Sequence, residues 1–132
     1  IDILGEEGEQ NVNIDFLSPS KNPERFPHHD VGYFIIESNG RGGIGGCSIS
    51  IDSDKDENTR SRAIIEELTQ CLGLTNDSSF YTDSIFFVGG GQQTTYSTMD
   101  IAIIKLHSWG AIRNGMNNIQ VEKLLNEAIT NQ

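Results

Sequence analysis

The chain has 132 residues, which suits one ordinary domain that buries about two thirds of its unfolded surface. Hydrophobic residues make up 36% and charged residues 21%, so a globular chain is expected rather than a disordered one. The net charge of −10 and only nine Lys and Arg argue against nucleic acid and against an anionic membrane surface. No apolar run approaches the ~20 residues of a transmembrane helix. We therefore expect a single domain over residues 1–132.

Two features bear on the cellular compartment. No signal peptide or lipidation motif is visible, but the chain begins at Ile1 rather than Met and is expected to be a mature or trimmed fragment. Cys47 and Cys71 allow one disulfide, which would suit an exported protein. Two buried free thiols are an equally good interpretation, because Cys is among the most buried residue types.

Alternation of apolar and polar residues predicts strands in the N-terminal half. Val12–Phe16 and Cys47–Ile51 have the period of half-buried strands, and Gly32–Ile36 is more uniformly apolar. The later run Ile85–Val88 predicts a buried strand or extended segment, and Gly89–Gly91 opens a mobile loop. The first three segments are sufficient for a small sheet.

A central helix is predicted between the third strand and Gly73. Asn58 or Thr59 can cap its free amides, and Gly73 suits the left-handed residue that ends a helix. On a helical wheel one side is the apolar core stripe, made of Ile64, Ile65, Leu68, Cys71 and Leu72. The opposite arc holds Ala63, Glu66, Glu67 and Gln70. By composition alone, this arc is typical of a solvated helix face.

Two more helices are predicted near the C-terminus. Ser97 with Asp100 resembles a capping box that opens the first of them. Asn117 with Gln120 is a second box-like start. It is followed by the apolar stripe of a terminal helix, which contains Val121, Leu124, Leu125, Ala128 and Ile129.

The most informative segment is Glu66–Asp77, which has the shape of a zinc-protease active helix without its zinc ligands. The metzincin signature is H-E-x-x-H-x-x-G-x-x-H. Aligned on Gly73, the general-base position of this signature holds Glu67. The three ligand positions hold Glu66, Gln70 and Asn76. The frame of the motif is kept, whereas its three imidazoles are absent.

Several segments of the chain, in this order, resemble the bacterial domain-of-unknown-function family 2927. They are Ile65–Leu74, Asn76–Ser78, Ser84–Phe86, Thr98–Leu106 and Asn114–Met116. The resemblance covers roughly residues 45 to 130. Members of this family are often labelled lipoproteins or exported proteins, with no established activity.

The resemblance implies a fold and a location. Family members are similar in layout to metzincin-type domains, with an edge strand, an active helix, a third-ligand turn and a Met-containing turn before the last helix. It therefore implies a single α+β domain of zincin-like layout, with a small mixed sheet, a central helix and C-terminal helices. Met99 and Met116 are both candidates for the Met-turn. An exported, periplasmic or cell-surface protein is expected.

The donor set at the ligand positions argues against zinc. Zinc prefers imidazole and thiolate, and a catalytic site needs three protein ligands plus a water. Carboxylate and amide oxygens suit a hard ion such as calcium better. His28, His29 and Asp30 can also be considered as metal ligands, but adjacent strand residues point to opposite faces and a Pro-flanked surface loop is the commoner explanation.

Two functions follow from these residues. Without a zinc-bound water, peptide hydrolysis lacks its nucleophile, which favours a non-catalytic domain that binds a protein, peptide or envelope component. An extended ligand is expected to add to a sheet edge near Ser48–Ile51. The alternative is a hydrolase that uses Glu67, with Glu66, as general acid and base.

The remaining site prediction concerns Gln70, Asn76 and Asp77 as binding residues. We expect Asn76 or Asp77 to fold back toward the arc that carries Glu66 and Gln70, with no metal between them. The amides and carboxylates would then close a hydrogen-bonded set.

Overall fold

The computed structural model of the protein describes residues 11–28, 30–88 and 92–132. The predictions made for His29 and Gly89–Gly91 lie outside these residues. The elements in chain order are β1 (Asn11–Leu17), a 3-10 helix (Pro23–Arg25), β2 (Gly32–Ser38), β3 (Ile44–Asp52), α1 (Glu57–Cys71), α2 (Thr98–His107) and α3 (Asn118–Thr130). The expected α+β class with a small mixed sheet is confirmed. Within the described ranges, no helix is both long and apolar enough to cross a membrane.

The three strands form one mixed sheet in the order β1-β3-β2. β3 runs parallel to β1 and antiparallel to β2, with Gly32 of β2 opposite Ile51. Because β3 is paired on both sides, the prediction of a free edge near Ser48–Ile51 is wrong. Alternation located this strand correctly, but it carries no information about which strands pair. Among the residues that the structure describes, the edges of the sheet are β1 and β2.

The ends of α1 are set by one acidic side chain and one glycine. The carboxylate of Asp56 accepts a hydrogen bond from the Thr59 N–H at 3.0 Å, so Asp56 is the N-cap. The predicted caps, Asn58 and Thr59, are wrong because Asp56 already satisfies the free amide one turn earlier. Gly73 has a φ of +97°, which confirms the expected left-handed residue after the helix.

The face of α1 that meets the sheet differs from the predicted stripe. Ala63 and Glu67 are buried, although the wheel placed both on the solvent arc. Ile64 and Leu68 are half-buried against the core, as expected. The core itself consists of Cys47, Ile49, Ile51, Ala63 and Cys71. The helical wheel assumed that carboxylates face water. Because Ala63 and Glu67 are both buried, the packed face of α1 is shifted by about one residue from the predicted stripe.

Cys47 of β3 and Cys71 at the end of α1 form a disulfide, with Cα atoms 5.8 Å apart. The sequence left a disulfide and two free thiols as equal alternatives. Both residues are buried in the core, so the bond attaches the last turn of α1 to the central strand.

Replacing both cysteines with Ala is expected to lower the free energy of unfolding by about 3 kcal/mol. The two residues are 24 positions apart, and removing the bond restores the conformational entropy of that loop in the unfolded chain. Urea denaturation under oxidising conditions measures the effect. In dithiothreitol the wild type should fall to the stability of the double variant, which the reductant should leave unchanged. Equal stability of the two oxidised proteins would contradict the prediction.

The segment after α1 is not the strand predicted at Ile85–Val88. It follows a series of turns, although Ile85 and Phe86 are buried as expected. The carboxylate of Asp100 accepts hydrogen bonds from the Ser84 hydroxyl and from the Ile85 N–H, the latter at 3.1 Å. The bond from the Ile85 N–H uses a donor that a β-ladder would need, and the pairing described for this segment is a single parallel bridge between Phe87 and Ser78.

Both C-terminal helices begin as predicted. Ser97 and Asp100 form a reciprocal capping box at α2, and Asn117 and Gln120 form another at α3. Each box satisfies two backbone N–H groups within one turn. Such caps involve residues three positions apart, which is why the sequence alone identified them.

Two side-chain hydrogen bonds attach the region of α2 to α1. His107 at the end of α2 donates from Nε2 to the carbonyl oxygen of Leu72, at 2.7 Å. The hydroxyls of Thr69 and Tyr96 are 2.8 Å apart. These contacts hold the C-terminal part against the end of α1 that carries the motif.

Candidate functional site

A cleft of about 540 Å³ lies between β2, one face of α1 and the segment that follows α1. β2 contributes Gly32, Tyr33 and Phe34, and the far wall contains Phe87 and Val88. The polar residues that line it are His28, Asp30, Arg62, Glu66, Glu67, Gln70 and Asp77. This volume is within the range of ~300–1,000 Å³ that is common for ligand sites.

The cleft brings together most of the site residues expected from the sequence. Glu66, Glu67, Gln70 and Asp77 all line it, whereas Asn76 is exposed and outside the lining. Asp77 therefore lies on the same side of the molecule as the arc of α1 that carries Glu66 and Gln70, where we expected either Asn76 or Asp77. The closed hydrogen-bonded set is not formed, since the Gln70 side chain makes no hydrogen bond to another described residue.

Glu67 is the buried side chain of this cleft. Only 7% of it is exposed, and its Oε2 atom has no hydrogen-bond partner among the described residues. β2 has a glycine at the point of closest approach: a Cβ on Gly32 would lie 2.5 Å from Glu67 Oε1. Glycine in a strand often marks such a close approach. Gly32 therefore gives the carboxyl group its place between helix and strand.

The protonation of Glu67 is shifted strongly. Burial raises its pKa to about 8, and the nearby carboxyl groups of Glu66, Asp30 and Asp77 add to the rise, while Arg62 opposes it. At neutral pH the Glu67 carboxyl is therefore mostly protonated. In that form it offers one O–H donor besides its acceptor oxygens.

Glu66 has a different environment from its neighbour. It forms an ion pair with Arg62, one turn earlier on α1, at 3.1 Å. Burial raises the pKa of Glu66, and the charge of Arg62 opposes the rise. Successive helix residues point about 100° apart, so Glu66 and Glu67 do not face each other as a carboxylate pair.

The residues at the motif positions do not fit the zinc centre that a metzincin contains. Glu66 is paired with Arg62, Gln70 is an amide, and Asn76 lies outside the cleft. In the part of the chain that the structure describes, no group of three or more His, Cys, Asp or Glu is arranged to hold a metal ion. Of the oxygen donors that suggested calcium, Glu66 and Gln70 line the cleft and Asn76 does not.

Sequence reasoning missed three parts of the site. Arg62 was not singled out, although its spacing to Glu66 is that of a helical ion pair. Gly32 was assigned only to a strand, and a glycine at the start of an apolar strand is itself a signal of close packing. The wall formed by Phe87 and Val88 has no comparable signal, because its position depends on the turns of the preceding segment.

The comparison with protein families gives one match. The model described as "Protein of unknown function (DUF2927)" matches residues 6–127. This range includes all three strands, α1 and α2, and it extends further toward the N-terminus than the region in which the resemblance was expected. No curated protein and no solved structure matches the chain.

Proposed function

We propose that this chain, which belongs to the DUF2927 family, is a metalloprotease-like domain that binds an extended peptide without hydrolysing it. The observation that carries the proposal is the position of β2 along the cleft. Three successive residues, Gly32–Phe34, line the cleft, and successive side chains point to opposite faces of a sheet. The cleft therefore follows the backbone edge of β2, not one of its faces.

The edge of β2 is suited to strand addition. In the described part of the chain β2 pairs only with β3, so its other side presents backbone N–H and C=O groups. An extended peptide gains affinity from main-chain hydrogen bonds at such an edge and specificity from pockets for its side chains. The space between β2 and the wall at Phe87 and Val88 is the place for those side chains.

The metalloprotease-like part of the proposal is supported by the order of elements. An antiparallel edge strand, β2, precedes the central strand, and α1 then carries Glu67 and ends at Gly73. Met116 lies in a turn directly before α3, where its N–H bonds the Arg113 carbonyl. This position fits the Met-turn of the expected layout better than Met99, which lies within α2.

The absence of imidazole at all three ligand positions supports a binding role over zinc-dependent hydrolysis. Glu66, Gln70 and Asn76 are poor partners for a zinc ion that must activate water. In the proposed complex Gln70 and Asp77 are binding residues on the wall of the cleft, and Glu67 faces the ligand from beneath.

Peptide binding is tested by NMR titration with capped extended hexapeptides. We expect amide shift changes at Gly32–Phe34 and on the cleft side of α1, with none along the other edge strand, Asn11–Leu17. Gly32→Ala should weaken binding, because the new Cβ displaces Glu67. Gly110→Ala is the matched control, since a Cβ there meets nothing within 4 Å. Changes confined to β1 would contradict the proposal.

A second candidate is a carboxylate-dependent hydrolase, favoured by the pKa of about 8 at Glu67 inside a cleft. A carboxylic acid that stays protonated at neutral pH can donate a proton to a leaving group, and Glu66 would be the accompanying base. The test is turnover of a panel of chromogenic peptides, esters and glycosides. Activity that Glu67→Gln removes and Gly110→Ala retains would favour this candidate over the binding role.

We also propose that the protein is exported to the periplasm or the cell surface. The disulfide between Cys47 and Cys71 supports this location, because disulfides persist mainly in oxidising compartments. Rapid acid quenching of cells followed by alkylation tests it by mass spectrometry. Both cysteines should resist alkylation until a reductant is added, and alkylation without reductant would contradict the proposal.

A further inference from the structure

The charged groups of the cleft are unbalanced. Four carboxyl groups line it, from Asp30, Glu66, Glu67 and Asp77, against one guanidinium, from Arg62, among the lining residues described. The imidazole of His28 lies at the same rim. The guanidinium is already paired with Glu66 at 3.1 Å. The other three carboxyl groups have no ion-pair partner among the described residues.

Glu67 adds an observation of a different kind. Its side chain is buried to more than nine tenths, and Oε2 has no hydrogen-bond partner among the residues described. An unpaired buried polar group costs about 1–3 kcal/mol, and native folds contain few of them. Glu67 lines the cleft, and a ligand in the cleft is the group that can reach it.

We propose that the cleft selects peptides that carry a Lys or Arg side chain, whose cationic group pairs with Glu67. The inference rests on the peptide binding proposed above and adds the class of side chain. A neutral ligand can satisfy Glu67 with one carbonyl oxygen, but it gains nothing from the negative charges of Asp30 and Asp77. A cation pairs with the ionised carboxylate of Glu67, and the charges of Asp30 and Asp77 nearby add to the attraction.

The walls of the cleft suit the stem of such a side chain. Lys and Arg pack their methylene chains along apolar surface while the charged end reaches polar groups. Val31, Phe87 and Val88 provide apolar surface in the same cleft. The charged end then lies at the floor, where Glu67 is held against Gly32.

Cation binding changes the protonation of Glu67. The free carboxyl group holds its proton at neutral pH, since burial and the neighbouring carboxylates oppose ionisation. A cation against Glu67 favours the carboxylate, so the O–H proton passes to the buffer and an ion pair replaces it. Binding of a cationic peptide at pH 7 therefore releases nearly one proton, whereas binding of a neutral peptide releases none.

Isothermal titration calorimetry distinguishes these cases. The probes are capped hexapeptides of Thr in which Lys is placed at each position in turn, and a matched series with norleucine. Titrations at pH 7 in PIPES, HEPES and imidazole give the number of protons released from the dependence of the enthalpy on the buffer. We expect at least one Lys peptide to bind about tenfold or more tightly than its norleucine match, with close to one proton released.

Two variants separate the role of Glu67 from a general charge effect. Glu67→Gln should abolish proton release and most of the preference for Lys. Glu122→Gln, an equal charge change at an exposed position on α3, should leave both unchanged. Binding of Lys and norleucine peptides with equal affinity and no proton release would overturn the inference and leave peptide binding intact. Binding of neither series would overturn the proposed function as well.

Discussion

The protein is expected to lose about 4 kcal/mol of stability between pH 5 and pH 9, and Glu67→Gln should remove most of that loss. The pKa of Glu67 is about 8 in the folded chain, against about 4.3 in an unfolded one, and each unit is worth 1.36 kcal/mol. Between these values the unfolded chain has released the proton that the folded chain keeps. The contribution is therefore fully present below about pH 4, falls as pH rises, and is gone above about pH 8.

Urea denaturation at half-unit steps from pH 4.5 to 9 measures this effect. The net charge of −10 also lowers stability at high pH, so the informative quantity is the difference between wild type and variant. Glu122→Gln, which removes one exposed carboxylate, corrects for net charge. Parallel curves for wild type and Glu67→Gln would show that the carboxyl group is not desolvated in the folded chain.

Features that depend on neighbours in sequence were predicted well. The capping boxes at Ser97 and Asn117 need residues only three positions apart, and Gly73 ends α1 through its own backbone conformation. The alternation located β1 and β3, but burial does not alternate along them: Val12 and Phe16 of β1 are exposed, and Ser50 of β3 is buried. For the capping boxes and the glycine, the interaction that stabilises the structure lies within the segment itself.

Features that depend on distant contacts were not predictable in the same way. Alternation at Ser48–Ile51 is the same for an edge strand and a central one, and β3 proved to be central. The disulfide between Cys47 and Cys71 depends on how α1 packs over that strand. The run Ile85–Val88, predicted as a buried strand or extended segment, forms turns with one bridge to Ser78, and the carboxylate of Asp100 binds the Ile85 N–H from another helix.

The zinc-protease motif selected Glu67 as a site residue, whereas the amphipathic pattern of α1 placed Glu67 on the wrong face of the helix. Alignment on Gly73 selected Glu67, and the structure buries this residue in a cleft with Asp77. Helical-wheel reasoning put Glu67 in solvent, because hydrophobicity alone gives a carboxylate no reason to enter the packed face. The reason is Gly32, which belongs to a strand 35 positions earlier and leaves space for the side chain. The sequence pattern of one helix carries no information about such a fit between residues of two different elements.

Asp100→Ala is expected to lower the free energy of unfolding by about 4 kcal/mol. Asp100 is fully buried and accepts hydrogen bonds from the Ser84 hydroxyl, the Ile85 N–H at 3.1 Å and the Ser97 N–H at 2.8 Å. Removing the carboxylate leaves three donors without a partner, each costing about 1–3 kcal/mol, and one of them, the Ser97 N–H, belongs to the capping box of α2. Urea denaturation followed by circular dichroism measures the loss.

The charge of Asp100 is tested separately from its shape. Burial by itself raises the pKa of Asp100, but hydrogen bonds from Ser84, Ser97 and Ile85 outweigh it and hold the pKa below its usual value. This stability is therefore present above the unfolded pKa of about 3.9 and is lost as pH falls through the lower folded value. Asp100→Asn should cost less than Asp100→Ala at pH 7, since it keeps one acceptor oxygen. If both variants match the wild type, this carboxylate does not fix the turn that carries Phe87 and Val88 to the cleft.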